Sequence, residues 1–399
     1  MPVKKKAKPV AVEAPQEKPQ VPRELTLDFL RQMLRIRRLE ERSDQAYGQG
    51  KIGGFCHLYI GQEAVAVGAL AAIRQDDYVL TTYRDHGIAL VRGISAEAIF
   101  AELFGRETGC SKGRGGSMHL FDKSNNFLGG HGIVGAHIPL GTGVAFASKY
   151  RGEDRVTLCF FGEGAVNNGA FHEALNLAAL WNLPIIYICE NNRYGMGTAI
   201  ERASSIIDLH TKADSYGMPH ALIDGMDVFA VHGAVKEAVE RARKGEPSFL
   251  ELRTYRFRGH SMSDPIHSHY RTKEEVELER ERDPVKRISA WIQENGIASQ
   301  EEIRAIDKEI SAEIKGAVET AQEAAEPSPR TVYDYVYKND PYRGTRELPQ
   351  VAGHAGSEHS DEGAARIGRN GGERGSQSFK GAALKEAGSR DGAGPGSKG

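Results

Sequence analysis

Two short apolar runs, at positions 156–161 (VTLCFF) and 185–189 (IIYIC), frame the centre of the chain. Each is too short for a helix and rich in β-branched and aromatic residues, so each predicts a buried strand. Between them Phe171, Ala174, Leu175, Ala178, Ala179 and Leu183 recur at helical spacing, and Pro184 is expected to stop the helix. Strand, turn, helix and strand in that order predict two parallel neighbours joined by a right-handed crossover. Read outward, the pattern predicts helices over 25–49 and 61–73 and a strand over 79–84. It also predicts a strand and turn over 221–231, a helix over 235–243, a strand over 248–255, and charged helices over 273–325 with a cap near Asp283-Pro284. The expected class is α/β, a mostly parallel sheet flanked by helices on both faces.

Polar residues stand where such a sheet binds ligands. Glu163 lies in a Gly162-Glu163-Gly164 turn after the first central strand, and Asn192 follows the second strand 29 positions later. Open α/β sheets bind at the carboxyl ends of their strands. A carboxylate and an amide carbonyl are hard oxygen donors that suit magnesium, which keeps part of its shell for phosphate oxygens. Gly162 and Gly164 let backbone approach an anion, and the following helix N-terminus attracts negative charge. The pattern therefore predicts a magnesium–diphosphate site. The competing reading is a glycine-rich turn with a solvated Glu.

Other segments leave two readings open. Tyr83-Arg84 closes a strand, and an Arg fork suits phosphate, though the two residues equally suit a surface pair. Positions 112–119 (KGRGGSMH) form a glycine-dense loop with two cations, but without P-loop spacing. Positions 129–143 (GGHGIVGAHIPLGTG) imply close backbone contact with a flat ligand or another chain. His57 sits beside a turn, where a lone His is commonly structural. Positions 256–271 carry His260, His267 and His269 in a polar stretch that reads as a mobile loop, or as a metal cluster without carboxylate or Cys support.

Composition narrows the function classes. A net charge of −2 over 399 residues does not suggest a nucleic-acid surface, and the apolar runs are too short for a membrane span. Lys4, Lys5 and Lys6 precede no apolar stretch, so no secretory signal is expected. Glu13 and Glu17, with no Arg before Arg23, argue against a mitochondrial transit peptide, leaving a bacterial cytoplasm ahead of a mitochondrial matrix. Cys56, Cys110, Cys159 and Cys189 fit no zinc spacing and are expected as reduced thiols. Residues 1–22 read as a disordered arm, 23–343 as the folded α/β domain, and 344–399 as a disordered Gly/Ser/charged tail.

Gly162-Glu163-Gly164 followed by Asn191-Asn192 resembles the thiamine diphosphate signature. The flanks ALNLAALWNLP, ICENNRYGMGT and YRFRGHSMSDP resemble the alpha subunits of thiamine-diphosphate-dependent 2-oxoacid dehydrogenases, those acting on pyruvate in particular. The likeness runs from about Arg35 to about Tyr342. It implies a thiamine-diphosphate-binding fold and oxidative decarboxylation of pyruvate, with the acetyl group passed to the lipoyl group of an acyltransferase and on to acetyl-CoA. It also implies a beta subunit that completes the cofactor site, in a tetramer of two alpha and two beta chains. Branched-chain 2-oxoacid or acetoin dehydrogenase is the near alternative, and a non-catalytic protein of the same fold the remote one.

By the same resemblance, Glu163, the Asn192 side-chain oxygen and the Tyr194 carbonyl would hold Mg²⁺. Tyr83, Arg84, Gly164, Ala165 and His260 would meet the cofactor, with Gly132 and Val134 at its aminopyrimidine end. His57 and Arg84 would face pyruvate, and His260 would assist acyl transfer. Ser261 and Ser268 fall at or near positions phosphorylated in mitochondrial relatives. Two residues depart from the pattern: Glu163 stands where the pyruvate branch usually carries Asp, and His131 where many relatives carry Asn.

Overall fold

Six parallel strands form the central sheet, in the order β2-β1-β3-β4-β8-β7. The computed structural model describes residues 21–264, 270–332 and 334–336. Most of the N-terminal arm, the loop positions His267, Ser268 and His269, and the tail lie outside the described residues. The described residues fall in one unit, Met1–Asp340.

In chain order the elements are α1 (Arg23–Gly48), α2 (Glu63–Leu70), β1 (Tyr78–Thr82), α3 (His86–Arg92), α4 (Ala96–Leu103), β2 (Phe127–His131), α5 (His137–Tyr150), β3 (Thr157–Gly162), α6 (Gly169–Trp181) and β4 (Ile185–Asn191). A small antiparallel pair follows, β5 (Tyr194–Gly195) with β6 (Thr198–Ala199), and then α7 (Ile200–Ala203). The chain ends with β7 (His220–Asp224), α8 (Val228–Ala242), β8 (Ser248–Arg253), α9 (Lys273–Arg280), α10 (Pro284–Glu294) and α11 (Gln300–Glu323).

The apolar runs are continuous because both faces of the sheet are covered. Leu158, Phe160, Ile186 and Ile188 join one core with residues of α1, α2 and α8. Their chain neighbours Cys159, Phe161, Tyr187 and Cys189 join a second core with Phe171 and Leu175 of α6. Each buried Leu, Ile or Phe contributes roughly 1.5–3 kcal/mol. The Ala- and Val-rich α2 packs closely on α8: a Cβ at Gly68 would stand 2.8 Å from the Val228 carbonyl oxygen. Among the described residues all four cysteines are free, and no helix is long and apolar enough to cross a membrane.

Three boundaries differ from the pattern reading. Helix α6 stops at Trp181 because Asn182 turns left-handed (φ 50°) and caps it, before Pro184 acts. Helix α8 starts at Val228, not near 235, because the Asp227 side chain accepts the Phe229 and Ala230 amides. Positions 129–143, read only as glycine-rich backbone, supply the end of β2 and the start of α5.

From β1 the chain goes to β2 on one side of the sheet, and from β3 to β4 on the other. The carboxyl ends of β1 and β3 therefore flank the topological switch point, where a doubly wound sheet opens a crevice.

Candidate active site

A cavity of about 260 Å³ opens at that switch point. Tyr83 and Arg84 enter it from the end of β1, Glu163, Gly164 and Ala165 from the end of β3, and Asn192 from the end of β4. Val134, Tyr194 and His260 also line it. A wider mouth of about 620 Å³ shares Tyr83, Val134 and His260 with the cavity and adds His57, Gly132 and Ser261. The described residues that the resemblance assigns to cofactor, cation or substrate thus lie on one continuous cleft, although they come from six separate stretches of chain. Ser261 is buried, with its hydroxyl 2.9 Å from Ser263 Oγ.

Glu163 opens a single 3-10 turn, Glu163–Asn167, and is 5% exposed. The Asn192 amide donates to its Oε2 at 3.3 Å. Burial raises its pKa above the ordinary carboxylate range, opposed by its own backbone amide and by Arg256. Arg256 is buried and joins the other two proposed oxygen donors: Nε donates to Asn192 Oδ1 at 3.1 Å and Nη2 to the Tyr194 carbonyl at 3.3 Å. Burial and the nearby Arg84 lower the Arg256 pKa to about 10. A desolvated carboxylate, an amide oxygen and a main-chain carbonyl, the latter two already drawn toward positive charge, form a donor set suited to a hard divalent cation.

Arg84 is fully committed at both Nη atoms, to the Leu58 and His260 carbonyls at 2.7 Å each. It fastens the two loops that carry the mouth histidines, and it brings its charge to the cavity wall. The rings of His57, Tyr83 and His260 cluster at 4.5, 5.1 and 5.7 Å between centroids. Burial first, and Arg84 second, lower the His57 pKa to about 2 and that of His260 to about 3. Both are therefore neutral imidazoles, each with one donor and one acceptor nitrogen. His57 Nδ1 is buried without a hydrogen-bond partner among the described residues.

The loop at 112–119 is no phosphate site. The amides of Ser111 and Gly113 donate to Glu102 Oε2 at 2.8 and 2.9 Å, and those of Gly115 and Gly116 to Glu102 Oε1 at 2.6 and 3.1 Å. A buried carboxylate from α4 fills the concavity a phosphate would need.

Sequence reasoning missed Gln62, Glu190 and Arg256. Glu190 Oε1 accepts hydrogen bonds from the Tyr59 hydroxyl and from Gln62 Nε2, the latter at 3.3 Å. Burial pushes its pKa up to about 7. Glu190 stands at the end of β4, two residues before Asn192, and lines the same cavity. Gln62 and Arg256 left no local signal, since tertiary packing brings them in from remote stretches. His131 and His137 also line the cavity and stack at 5.4 Å.

A doubly wound parallel sheet thus gathers a carboxylate, an amide oxygen and two arginines at its switch point, the place where such sheets bind ligands. The sequence profile of one family, described as the dehydrogenase E1 component, matches residues 31–330. The chain belongs to that family. It is 52% identical over 309 residues to the pyruvate dehydrogenase E1 component subunit alpha of Rhizobium meliloti (strain 1021), covering 77% of this chain and 88% of the relative. Proteins of the same name from Rickettsia bellii (strain RML369-C) and Rickettsia prowazekii (strain Madrid E) are each 49% identical over 307 residues, covering 76% of this chain and 93% of theirs.

Proposed function

We propose that this chain is the alpha subunit of a pyruvate dehydrogenase E1 component. With a beta subunit, it would decarboxylate pyruvate oxidatively and acetylate the lipoyl group of an acyltransferase, on the way to acetyl-CoA. The observation that carries the reading is the convergence of Glu163, Asn192 and Tyr194 on one cleft with Tyr83, Arg84, His57 and His260. The relatives named above carry the pyruvate name, which favours pyruvate over branched-chain oxoacids or acetoin.

Bound thiamine diphosphate supplies the nucleophilic carbon and the electron sink that losing CO₂ from a 2-oxoacid requires. Glu163, Asn192 Oδ1 and the Tyr194 carbonyl would hold Mg²⁺, and Gly164 and Ala165 would let the backbone come close to the diphosphate. The Tyr83 hydroxyl would donate at the same end, Arg84, its Nη atoms held by the Leu58 and His260 carbonyls, would contribute positive charge, and Gly132 and Val134 would border the aminopyrimidine. His57 and His260, both neutral, would each offer the substrate one donor and one acceptor nitrogen at the mouth. Buried Ser261 sits close enough to His260 that a phosphate there would crowd substrate entry.

The cleft is half of a site, and its rim is apolar and open: Phe55, Ile133, Val134 and Met196 are 60%, 75%, 49% and 65% exposed. Such a rim fits a partner subunit that closes over the cofactor, in an assembly of two alpha and two beta chains. A bacterial cytoplasm suits the free cysteines.

Pyruvate-dependent ferricyanide reduction by the chain co-expressed with its beta chain tests the reading. Activity should require both thiamine diphosphate and Mg²⁺ and vanish in Glu163→Ala. Activity with 2-oxoisovalerate or acetoin alone would transfer the chain to another branch, and no cofactor binding at all would refute the site.

A further inference from the structure

Gln62 and Glu190 lie in the cleft wall, and neither contacts the three oxygens assigned to the cation. They form a directional chain that ends on one of them. Glu190 Oε1 accepts from the Tyr59 hydroxyl and from Gln62 Nε2 at 3.3 Å. With its nitrogen turned to Glu190, Gln62 must turn its oxygen the other way, where it accepts from Asn192 Nδ2 at 3.0 Å. Asn192 is then left with Oδ1 facing the Tyr194 amide (3.4 Å) and Arg256 Nε (3.1 Å). All four side chains are buried: Tyr59 is 0% exposed, Gln62 1%, Glu190 3% and Asn192 8%.

Polarity is enforced from both ends. Glu190 Oε1 already accepts from the Tyr59 hydroxyl, and a guanidinium has only donors. Turning the Asn192 amide over would set Nδ2 against Arg256 Nε, donor against donor, and Oδ1 against Gln62 Oε1, acceptor against acceptor. Turning Gln62 as well would move the clash to Glu190. An unmade bond at such buried groups costs about 1–3 kcal/mol, so the network admits one orientation.

The approach of Gln62 depends on its own anchoring. It is the residue before α2, and Gly61 ahead of it has φ +103° and lies so close to Tyr255 that a Cβ would overlap the Tyr255 carbonyl oxygen. The Gly61 amide donates to Glu63 Oε2 at 3.0 Å, and Glu63 is held by Arg37 at 2.6 Å. The turn is thus fixed from outside the cleft.

We propose that Gln62, oriented by Glu190 and Tyr59, is a positioning residue that presents the Asn192 oxygen to the cofactor's divalent cation. This rests on the reading of Asn192 as a cation ligand given above. Outer partners of metal ligands commonly govern affinity by about 10–100-fold. Removing the Gln62 amide strips Asn192 Nδ2 of its acceptor and leaves the side chain held at Oδ1 alone, and the loss should fall in that range.

The test measures Mn²⁺ binding by the electron paramagnetic resonance of free Mn²⁺, in the alpha–beta enzyme with saturating thiamine diphosphate. Gln62→Leu should weaken Mn²⁺ by about 10-fold or more, with kcat recovered at high metal. Glu190→Leu should do the same, and the double variant should be no weaker than either single one, because both cut one chain. Glu190→Gln keeps the oxygen that accepts both bonds and should restore Mn²⁺ affinity to within about threefold of the parent, a difference of about 0.6 kcal/mol. Unchanged Mn²⁺ affinity in Gln62→Leu, or additive losses in the double variant, would overturn the proposal. If Gln62→Leu does not fold, the Glu190→Leu and Glu190→Gln pair decides alone: equal affinities reject the chain. Asn192→Ala separates the two levels. Should it bind Mn²⁺ as the parent does, the ligand assignment fails rather than the positioning role.

Discussion

Two glycine-dense turns in this protein look alike in sequence and behave in opposite ways. The 112–119 loop closes on the Glu102 carboxylate, which takes amides from Ser111, Gly113, Gly115 and Gly116. The 162–164 turn instead pushes its own carboxylate, Glu163, into a cleft beside Asn192 and Arg256. Both are buried acids among glycines. In the first the acid is the ligand of its own loop; in the second the acid is offered to something else. What separates them is where the carboxylate originates. Glu102 comes from a helix behind the loop, and Glu163 from the carboxyl end of a strand at the switch point. Glycine density shows that backbone must come close to an anion, and only the fold says whether that anion is internal.

The widest gap should appear between function and stability. Glu163→Ala should cut cofactor-dependent pyruvate turnover by at least about 100-fold, while thermal unfolding of the chain without cofactor stays the same or improves, since a desolvated carboxyl is removed. Glu102→Ala should lose about 3–5 kcal/mol of stability, because four amides lose a charged buried partner. Calorimetry and turnover on the two variants check the contrast; a stable Glu102→Ala would break it.

Acid should strain the open side next. The folded pKa values of His57 and His260, about 2 and about 3, lie below the unfolded value near 6.5. Below about pH 6.5 the unfolded chain binds protons that the folded chain refuses, so stability falls as pH drops. The slope is at most about 1.4 kcal/mol per pH unit for His57 and smaller for the less buried His260. Replacing His57 with Asn should flatten denaturant midpoints between pH 6.5 and 4.5, and an unchanged slope would contradict the buried neutral state.

The smallest effect lies beside the closed loop. Asp85 is buried and accepts the Leu120 amide at 3.0 Å, and burial pushes its pKa up to about 8. The folded chain therefore retains a proton that the unfolded chain releases near pH 4, and stability declines as pH rises from there through 8. Asp85→Asn should remove that decline and gain about 1 kcal/mol at pH 9, read as a shift in urea midpoint.

Much of the site was legible because its residues stand at strand ends in local patterns. Glu163 and Asn192 could be found from short stretches of chain, whereas Tyr83, Arg84 and His260 were assigned to the site only by resemblance; all five line the cavity. Helix α8 was legible in type but not in start, because a single Asp227 cap outweighs apolar spacing. Arg256 sat in a motif read for His260, and nothing local told which of its neighbours would reach the cleft.

The amino-acid sequence by itself determined the class of fold, the central strand–helix–strand unit, the acidic turn and the amide that answers it. Those features rest on periodicity, turn chemistry and short spacings, which act over a few residues. Tertiary structure alone decided that Glu102 fills the second glycine loop, that Arg84 is spent on two carbonyls, and that Gln62 meets Asn192 across 130 positions. These outcomes turn on which buried donors and acceptors find each other when distant segments pack. Desolvation makes such pairings obligatory, but their partners are chosen by geometry that no single stretch of chain contains.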